Sequence, residues 1–151
     1  MCKKNKKYTI IIDNDILNQY TKYYFLKYPR RKKEPISKPI TPSINQWMVM
    51  LRPQMNKVKQ DWKEFMVWVV DFYGYTNANI QHCNMELNIY FDTKRRHDSD
   101  NYSPKFINDG LTESGMLVDD DFNHIHKLTI SGGYDKLNPR MEIILTEIDI
   151  E

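Results

Sequence analysis

The chain has 151 residues, of which 28% are charged and 40% are hydrophobic, and its formal net charge is +2. We expect residues 1–151 to form a single domain, because this length is enough to bury one core. The sequence contains no apolar run long enough for a membrane span and no apolar stretch near the N-terminus of the kind that a secretory signal needs. Two cysteines, Cys2 and Cys83, are too few for a disulfide framework. The composition therefore indicates a cytoplasmic protein with no membrane partner.

The charges divide unevenly along the chain. Residues 1–70 carry 15 lysines and arginines against 5 acids, whereas residues 71–151 carry 7 against 15. A basic surface beside a carboxylate cluster is typical of a protein that attracts a polyanion and holds a cation against it. The alternative interpretation is that both sets are solvated faces that neutralise each other.

The first predicted elements are a strand and a basic arm. A β-branched run at residues 8–13 predicts the strand. From about residue 20 to residue 43, cations alternate with tyrosines and four prolines, which disfavour a regular helix and predict a long loop or arm. Phosphates would contact the cations and bases would stack on the tyrosines, although a disordered, solvated linker is the alternative. The cations expected to contact DNA are Lys27, Arg30, Arg31, Lys32 and Lys33.

A long helical pattern follows the arm. Apolar residues recur at spacings of three and four from Ile44 to Phe72, with Ser43 as a plausible N-cap and Gly74 as the end. Pro53 lies inside this run and is expected to kink or divide the helix.

The second half of the chain predicts three strands and a short helix. Residues 84–92 alternate between apolar and polar, and a short helix is expected from Pro104 to about Ser114. Two more strands are expected at residues 124–131 and 140–149, joined as a hairpin. The predicted fold class is therefore α+β, with a small mixed sheet of about four strands, one long helix and one short helix.

An Asp-x-Asp pair after the best strand is the first candidate site. Asp98 and Asp100 are two residues apart, so in an extended segment both carboxylates point the same way and repel each other unless a cation lies between them. Magnesium prefers such oxygen ligands. A solvated acidic turn is the alternative. Lys105 then falls in the first turn of the short helix, where a cation opposes the helix dipole, and a rule broken beside two carboxylates indicates a site.

Three more acids, Asp119 to Asp121, follow the short helix and the glycine at position 115. This run could return to the Asp98 and Asp100 end of the helix only if residues 116–118 double back along it. Three adjacent acids are also common in solvated turns.

The stretch from Arg95 to Asp121 resembles the motif of the RusA-type Holliday-junction resolvases, endonucleases that are common in prophages. That motif has two basic residues, Asp-x-Asp-Asn, a lysine, Asp-x-Leu, a glycine and Asp-Asp. Its counterparts in this chain are Asp98-x-Asp100-Asn101, Lys105, Asp109-Gly110-Leu111, Gly115 and Asp119-Asp120. Lys105 comes one residue later than is usual in the family, and His97 stands where the family often has another basic residue.

The resemblance implies a role for each matched position. Asp98, Asp100 and Asp120 would bind Mg²⁺, for which Mn²⁺ can substitute, and Lys105 would be the catalytic lysine. Asp119 is the alternative third ligand, because the additional acid Asp121 leaves the register of the Asp-Asp pair ambiguous.

The resemblance also implies the activity. A family member would resolve Holliday junctions in recombination and repair, working as a homodimer that cuts two strands of four-way branched DNA symmetrically, without an organic cofactor. Lys94, Arg95 and Arg96 would join the arm in contacting phosphates. Two alternatives are a non-catalytic protein that binds branched DNA and a nuclease that prefers forks or flaps.

The histidines give a weaker signal. His124 and His126 are two apart in a predicted strand, and His82 lies far away in sequence. The sequence offers no evident third ligand to complete a transition-metal site, so the surface or core of a strand is the expected place for them.

Overall fold

The structure is a computed structural model that describes residues 5–150. Cys2 lies outside the described residues. No helix within residues 5–150 is long and apolar enough to cross a membrane. The elements in chain order are β1 (Lys7–Ile12), α1 (Asn14–Lys27), α2 (Ile44–Met48), α3 (Arg52–Phe72), β2 (Cys83–Phe91), a 3₁₀ helix (Ser99–Asn101), α4 (Lys105–Glu113), β3 (Ile125–Tyr134) and β4 (Arg140–Glu147).

The fold is α+β, as predicted, with one mixed sheet of four strands. The strand order is β1-β4-β2-β3; β4 pairs antiparallel with both β1 and β2, and β2 pairs parallel with β3. The parallel pair bears on the candidate site, because α4 and the acidic segments on either side of it lie in the connection between β2 and β3.

The predicted hairpin between the last two strands is wrong. β4 does not pair with β3; it crosses β2 and enters the middle of the sheet. Residues 135–139 are enough to span two strand spacings, which is roughly 10 Å. The reason lies in burial: β4 buries Met141, Ile143 and Leu145, as a central strand does, whereas most of β3 is exposed and lies at an edge.

The predicted arm is helical in its first part. α1 runs from Asn14 to Lys27, and the Asp13 carboxylate caps it by accepting a hydrogen bond from the Ile16 N–H at 3.0 Å. The prolines begin only at Pro29, so nothing interrupts the helix before it ends. Tyr20 and Tyr24 are buried core residues, which corrects their assignment to base stacking.

The remainder of the arm, residues 28–43, has no helix or strand but is not a free linker. Ile36, Pro39, Thr41 and Ser43 are buried, so this loop packs on the core at several points. It ends at Ser43, whose hydroxyl accepts from the Gln46 N–H while the Gln46 side chain accepts from the Ser43 N–H, a capping box that starts α2.

The single long helix predicted after the arm is two helices. α2 ends at Met48, and α3 begins at Arg52 with Pro53 in its first turn, where a proline is tolerated. Pro53 therefore divides the pattern rather than kinking it. The fold consequently has four α-helices among the described residues, instead of one long and one short helix.

The core holds α4 close to α3. The buried side of α3 includes Phe65, Met66 and Val69. Gly110 of α4 faces it so closely that an added Cβ would lie 2.4 Å from the Met66 Cβ. This contact fixes the position of α4, and with it Lys105 at the start of the helix.

Candidate metal and nucleic-acid site

The Asp98 and Asp100 carboxylates lie on the 3₁₀ helix that follows β2. Asp98 caps this helix with an extended backbone, and both aspartates are exposed. Asp98 accepts a hydrogen bond from the Arg96 Nε at 2.9 Å. Asn101 accepts one from the backbone N–H of Asn45 at 2.9 Å, which ties the segment to the start of α2. The two carboxylates thus face solvent on a segment that a hydrogen bond through Asn101 ties to α2.

Aromatic stacking anchors the chain just before Asp98. The His97 ring lies parallel to the Phe91 ring, with the centroids 3.7 Å apart, and Tyr102 contacts Phe91 edge-on. These rings line a hollow of about 500 Å³ on the β2–β3 surface, and Asp98 lies at its wall. His97 therefore packs on an aromatic ring, in the position where the resemblance would place a basic residue.

Lys105 is the first residue of α4 and is exposed. Its backbone N–H donates to the Ser103 hydroxyl at 3.2 Å. Its Nζ lies 4.4 Å from the centroid of the Trp47 ring on α2, a cation–π contact. The indole therefore holds the ammonium group at the N-terminal end of α4.

Asp120 returns to the same end of α4. After α4 the chain turns at Gly115, which has a φ of 85°, and Leu117 then pairs with Ile80. The Asp120 side chain lines a hollow of about 240 Å³ together with Pro104 and Asn108, which belong to the first half of α4 and its cap. The connection through residues 116–118 thus doubles back along the helix.

The environment of Asp120 disfavours its charge. Desolvation and then the neighbouring carboxylates of Asp119 and Asp109 raise the pKa of Asp120 above its ordinary value. A carboxylate whose charge is disfavoured in this way gains when a cation binds beside it, and such groups concentrate at functional sites.

The described residues do not bring the three predicted ligands together around one point. Among residues 5–150, the group of three metal-ligand side chains whose ligating atoms all lie within 4.8 Å of one another is Asp119, Asp121 and His124. Asp98 and Asp100 precede α4 in the chain, and Asp120 follows α4 and lies against it. Their carboxylates do not form a group of this kind.

The predicted DNA-contacting cations fall in two places. Near the end of α1, Lys27 pairs with Glu64 at 3.3 Å, and Arg31 lies over the Tyr28 ring at 3.8 Å. The Glu64 carboxylate raises the pKa of Lys27 mainly through this hydrogen bond. Three further predicted cations of this group are exposed, namely Arg30, Lys32 and Lys33.

The second group of cations is next to the acids. Lys94 lies 5.2 Å from the centroid of the Tyr134 ring, Arg95 lines the same hollow as Asp98, and Arg96 pairs with Asp98. Arg95 also borders a second hollow, whose other wall is formed by residues 35–42 of the loop before α2. The loop and the acidic segment thus meet at Arg95.

Sequence reasoning missed three parts of this surface. It did not identify Trp47 as a partner of Lys105, because an aromatic in an apolar stripe is normally a core residue. It did not foresee that His97 stacks on Phe91. It noted His124 but did not connect it to Asp121, three residues earlier, although that spacing within a turn was the available signal.

Comparison of the chain with protein-family models and with curated proteins finds no match.

Proposed function

We propose that this protein is a Mg²⁺-dependent endonuclease that acts on four-way branched DNA as a homodimer. The observation that supports the proposal best is the return of Asp120 to the N-terminal end of α4, where it lies with Pro104 and Asn108. This brings the late acid to the helix end that also carries Lys105 and that follows the Asp98 and Asp100 segment.

The chemistry of the donor set fits magnesium. Asp98, Asp100 and Asp120 offer carboxylate oxygens, which are hard ligands and leave room for several waters on the ion. All three are exposed. To bind the ion, Asp98 must give up its ion pair with Arg96. An exposed ion pair of this kind stabilises a protein by at most about 1 kcal/mol. Closing the three carboxylates around one ion requires the 3₁₀ segment to move toward Asp120.

When bound, Mg²⁺ would supply a water of lowered pKa and would neutralise charge on the scissile phosphate. Lys105 has the complementary task. Its ammonium, seated on Trp47, makes no ion pair within 4.0 Å among the described residues, so it can turn toward a phosphate and stabilise its developing negative charge.

The cations would bind the DNA backbone. Arg95 and Lys94 lie beside Asp98, so phosphate contacts there would orient the strand at the acids. The exposed cations after α1 would extend the contact, because each neutralised phosphate adds to affinity regardless of sequence. Two symmetric sites would suit a homodimer on a junction with two-fold symmetry.

The proposal is tested by single substitutions of the three acids. Asp98→Asn, Asp100→Asn and Asp120→Asn should each lower Mg²⁺-dependent cleavage of a synthetic four-way junction by at least about 100-fold, because each removes a ligand charge while keeping the side-chain shape. Asp149→Asn, at an exposed site beyond β4, is the matched control and should cleave normally.

Binding is measured on the same variants by gel shift in Ca²⁺. Variants that still bind the junction but no longer cleave it would support the assignment of the three aspartates as metal ligands. Full cleavage by all three variants would refute it. The wild-type protein could instead bind the junction without cleaving it at any Mg²⁺ concentration. That result would favour the non-catalytic alternative. The separation of the three carboxylates in the structure is the observation in favour of this alternative. Replication forks and flaps tested in parallel identify the preferred branched substrate.

A further inference from the structure

A second set of metal-ligand side chains lies on the turn that leads into β3. The carboxylates of Asp119 and Asp121 and the imidazole of His124 have ligating atoms that all lie within 4.8 Å of one another. None of these three belongs to the Asp98, Asp100 and Asp120 set assigned above to magnesium.

The turn itself holds two of these groups in place. The backbone carbonyl of Asp121 accepts from the N–H groups of His124 and Ile125, at 3.1 and 2.9 Å, and the Asp121 Oδ1 accepts from the Asn123 N–H at 3.0 Å. Ile125 is buried and anchors the end of the turn. The Asp121 carboxylate and the His124 imidazole therefore face each other because of the local backbone.

The ligating atoms of Asp121 and His124 lie somewhat closer together than a bound ion with short bonds would place them. Zinc binds carboxylate oxygen and imidazole nitrogen at about 2.0–2.2 Å, which puts neighbouring ligand atoms of a tetrahedral site roughly 3.4 Å apart. The His124 Nδ1 and the Asp121 Oδ1 are 2.5 Å apart, so they would separate by roughly 1 Å to admit the ion. Asp119 and Asp121 are exposed and His124 is half-buried, so rotation of these side chains is sufficient.

Two further histidines adjoin this turn. The His82 ring is nearly parallel to the His124 ring, at 6.0 Å between centroids. The His82 Nδ1 lies 2.8 Å from the Asn123 carbonyl oxygen and 3.1 Å from the His126 Nε2. Three imidazoles, those of His82, His124 and His126, therefore lie at or beside this turn.

Space for further ligands is present next to the turn. Asp121 and His126 both line the hollow of about 240 Å³ beneath β3. A metal held by three protein ligands keeps a fourth position for water or for another group, and Asp121 is the ligand of the three that borders this hollow.

We propose that Asp119, Asp121 and His124 form a binding site for Zn²⁺, with an open fourth position. A set that combines imidazole with carboxylates favours a borderline transition metal over magnesium or calcium, which take oxygen ligands alone. This inference is separate from the assignment of magnesium to Asp98, Asp100 and Asp120; it shares with the nuclease proposal only Asp119, the alternative third magnesium ligand.

The test is isothermal titration of the full chain with Zn²⁺ in excess Mg²⁺, without DNA. The wild-type protein should bind Zn²⁺ at one site. His124→Ala and Asp121→Asn should each weaken binding by about 100-fold, because loss of a group that merely orients a ligand already costs 10–100-fold. The matched controls are His97→Ala, which removes the histidine stacked on Phe91, and the double variant Asp98→Asn/Asp100→Asn; both should bind as the wild type does.

A spectroscopic readout covers the case in which a variant fails to fold. The wild-type protein loaded with Co²⁺ should show the visible absorption of a four-coordinate site, and Zn²⁺ should remove it. Absence of Zn²⁺ binding by the wild-type protein would mean that Asp121 and His124 form only an ion pair, and the proposal would be refuted. Unchanged binding by His124→Ala, or loss of binding in the Asp98→Asn/Asp100→Asn protein, would also overturn it.

Discussion

Asp120 is an acid in a place where its charge is unfavourable. Its pKa is raised, first by desolvation and then by Asp119 and Asp109. A group whose pKa is higher in the folded state than in the unfolded state stabilises the fold only when protonated, and this contribution is lost as the pH rises through the folded pKa. At neutral pH, therefore, the ionised Asp120 weakens the metal-free protein, as expected for a residue kept for a purpose other than stability.

Asp120→Asn should consequently raise the Tm of the metal-free protein at pH 7 by a small amount, on the order of 1 °C. The gain should vanish below pH 3, where the aspartate is also neutral. Thermal unfolding in EDTA checks this. Asp135→Asn is the matched control of opposite sign: Arg140 lowers the pKa of Asp135, so this substitution should lower the Tm at pH 7 and not at low pH. A fall in Tm for Asp120→Asn at pH 7 would contradict the account of Asp120.

The residues of the candidate site were predictable to different degrees. Asp98 and Asp100 could be singled out because two carboxylates two residues apart repel each other without a cation, and Lys105 because a cation in the first turn opposes the helix dipole. The contact of Lys105 with Trp47 could not, since it depends on where the chain breaks between α2 and α3. The pairing of Asp121 with His124 depends on a turn whose backbone hydrogen bonds the sequence does not display.

At the scale of elements, the contact between α3 and α4 decides where Lys105 lies. Gly110 allows this approach: an added Cβ would meet the Met66 Cβ at 2.4 Å and the Lys63 carbonyl oxygen at 3.1 Å. A glycine inside a helix normally costs about 1 kcal/mol relative to alanine. Its presence here is explained by the packing of the two helices.

Gly110→Ala should therefore destabilise the protein by about 1–3 kcal/mol, despite the better helix propensity of alanine, because the helices must move apart. Denaturant unfolding measures this. Gly132→Ala is the control, since its Cβ would make only an ordinary contact of 3.7 Å with Phe91, and it should change stability much less. A Gly110→Ala protein as stable as the wild type would show that α4 is not held by this contact.

The elements that the sequence predicted well are those with a strong periodic pattern. The alternation at residues 84–92 matches β2, and the spacing of apolar residues matches most of α3. α1 was missed because its tyrosines were read together with the cations and prolines that follow them, although Tyr20 and Tyr24 are core residues. The hairpin was wrong because neighbours in sequence were assumed to pair, whereas burial places β4 inside the sheet.

At the scale of the whole molecule, the uneven charge of the sequence is only partly cancelled in space. Lys27 pairs with Glu64, and Lys63 pairs across helices with Glu113. The cations at residues 94–96 remain beside the acids at Asp98 and Asp100, and the loop of residues 35–42 reaches the same place. This leaves a surface on which cations and carboxylates alternate, which is the arrangement that a metal-dependent nuclease needs for a phosphate backbone.

Crystals soaked in Mn²⁺ test the central claim most directly, because the anomalous signal of Mn²⁺ locates each ion. We expect one ion about 2.1–2.3 Å from carboxylate oxygens of Asp98, Asp100 and Asp120, with the 3₁₀ segment drawn toward α4. Asp120 directed away from the other two aspartates, with no ion between them in a single chain or in a dimer, would contradict the account.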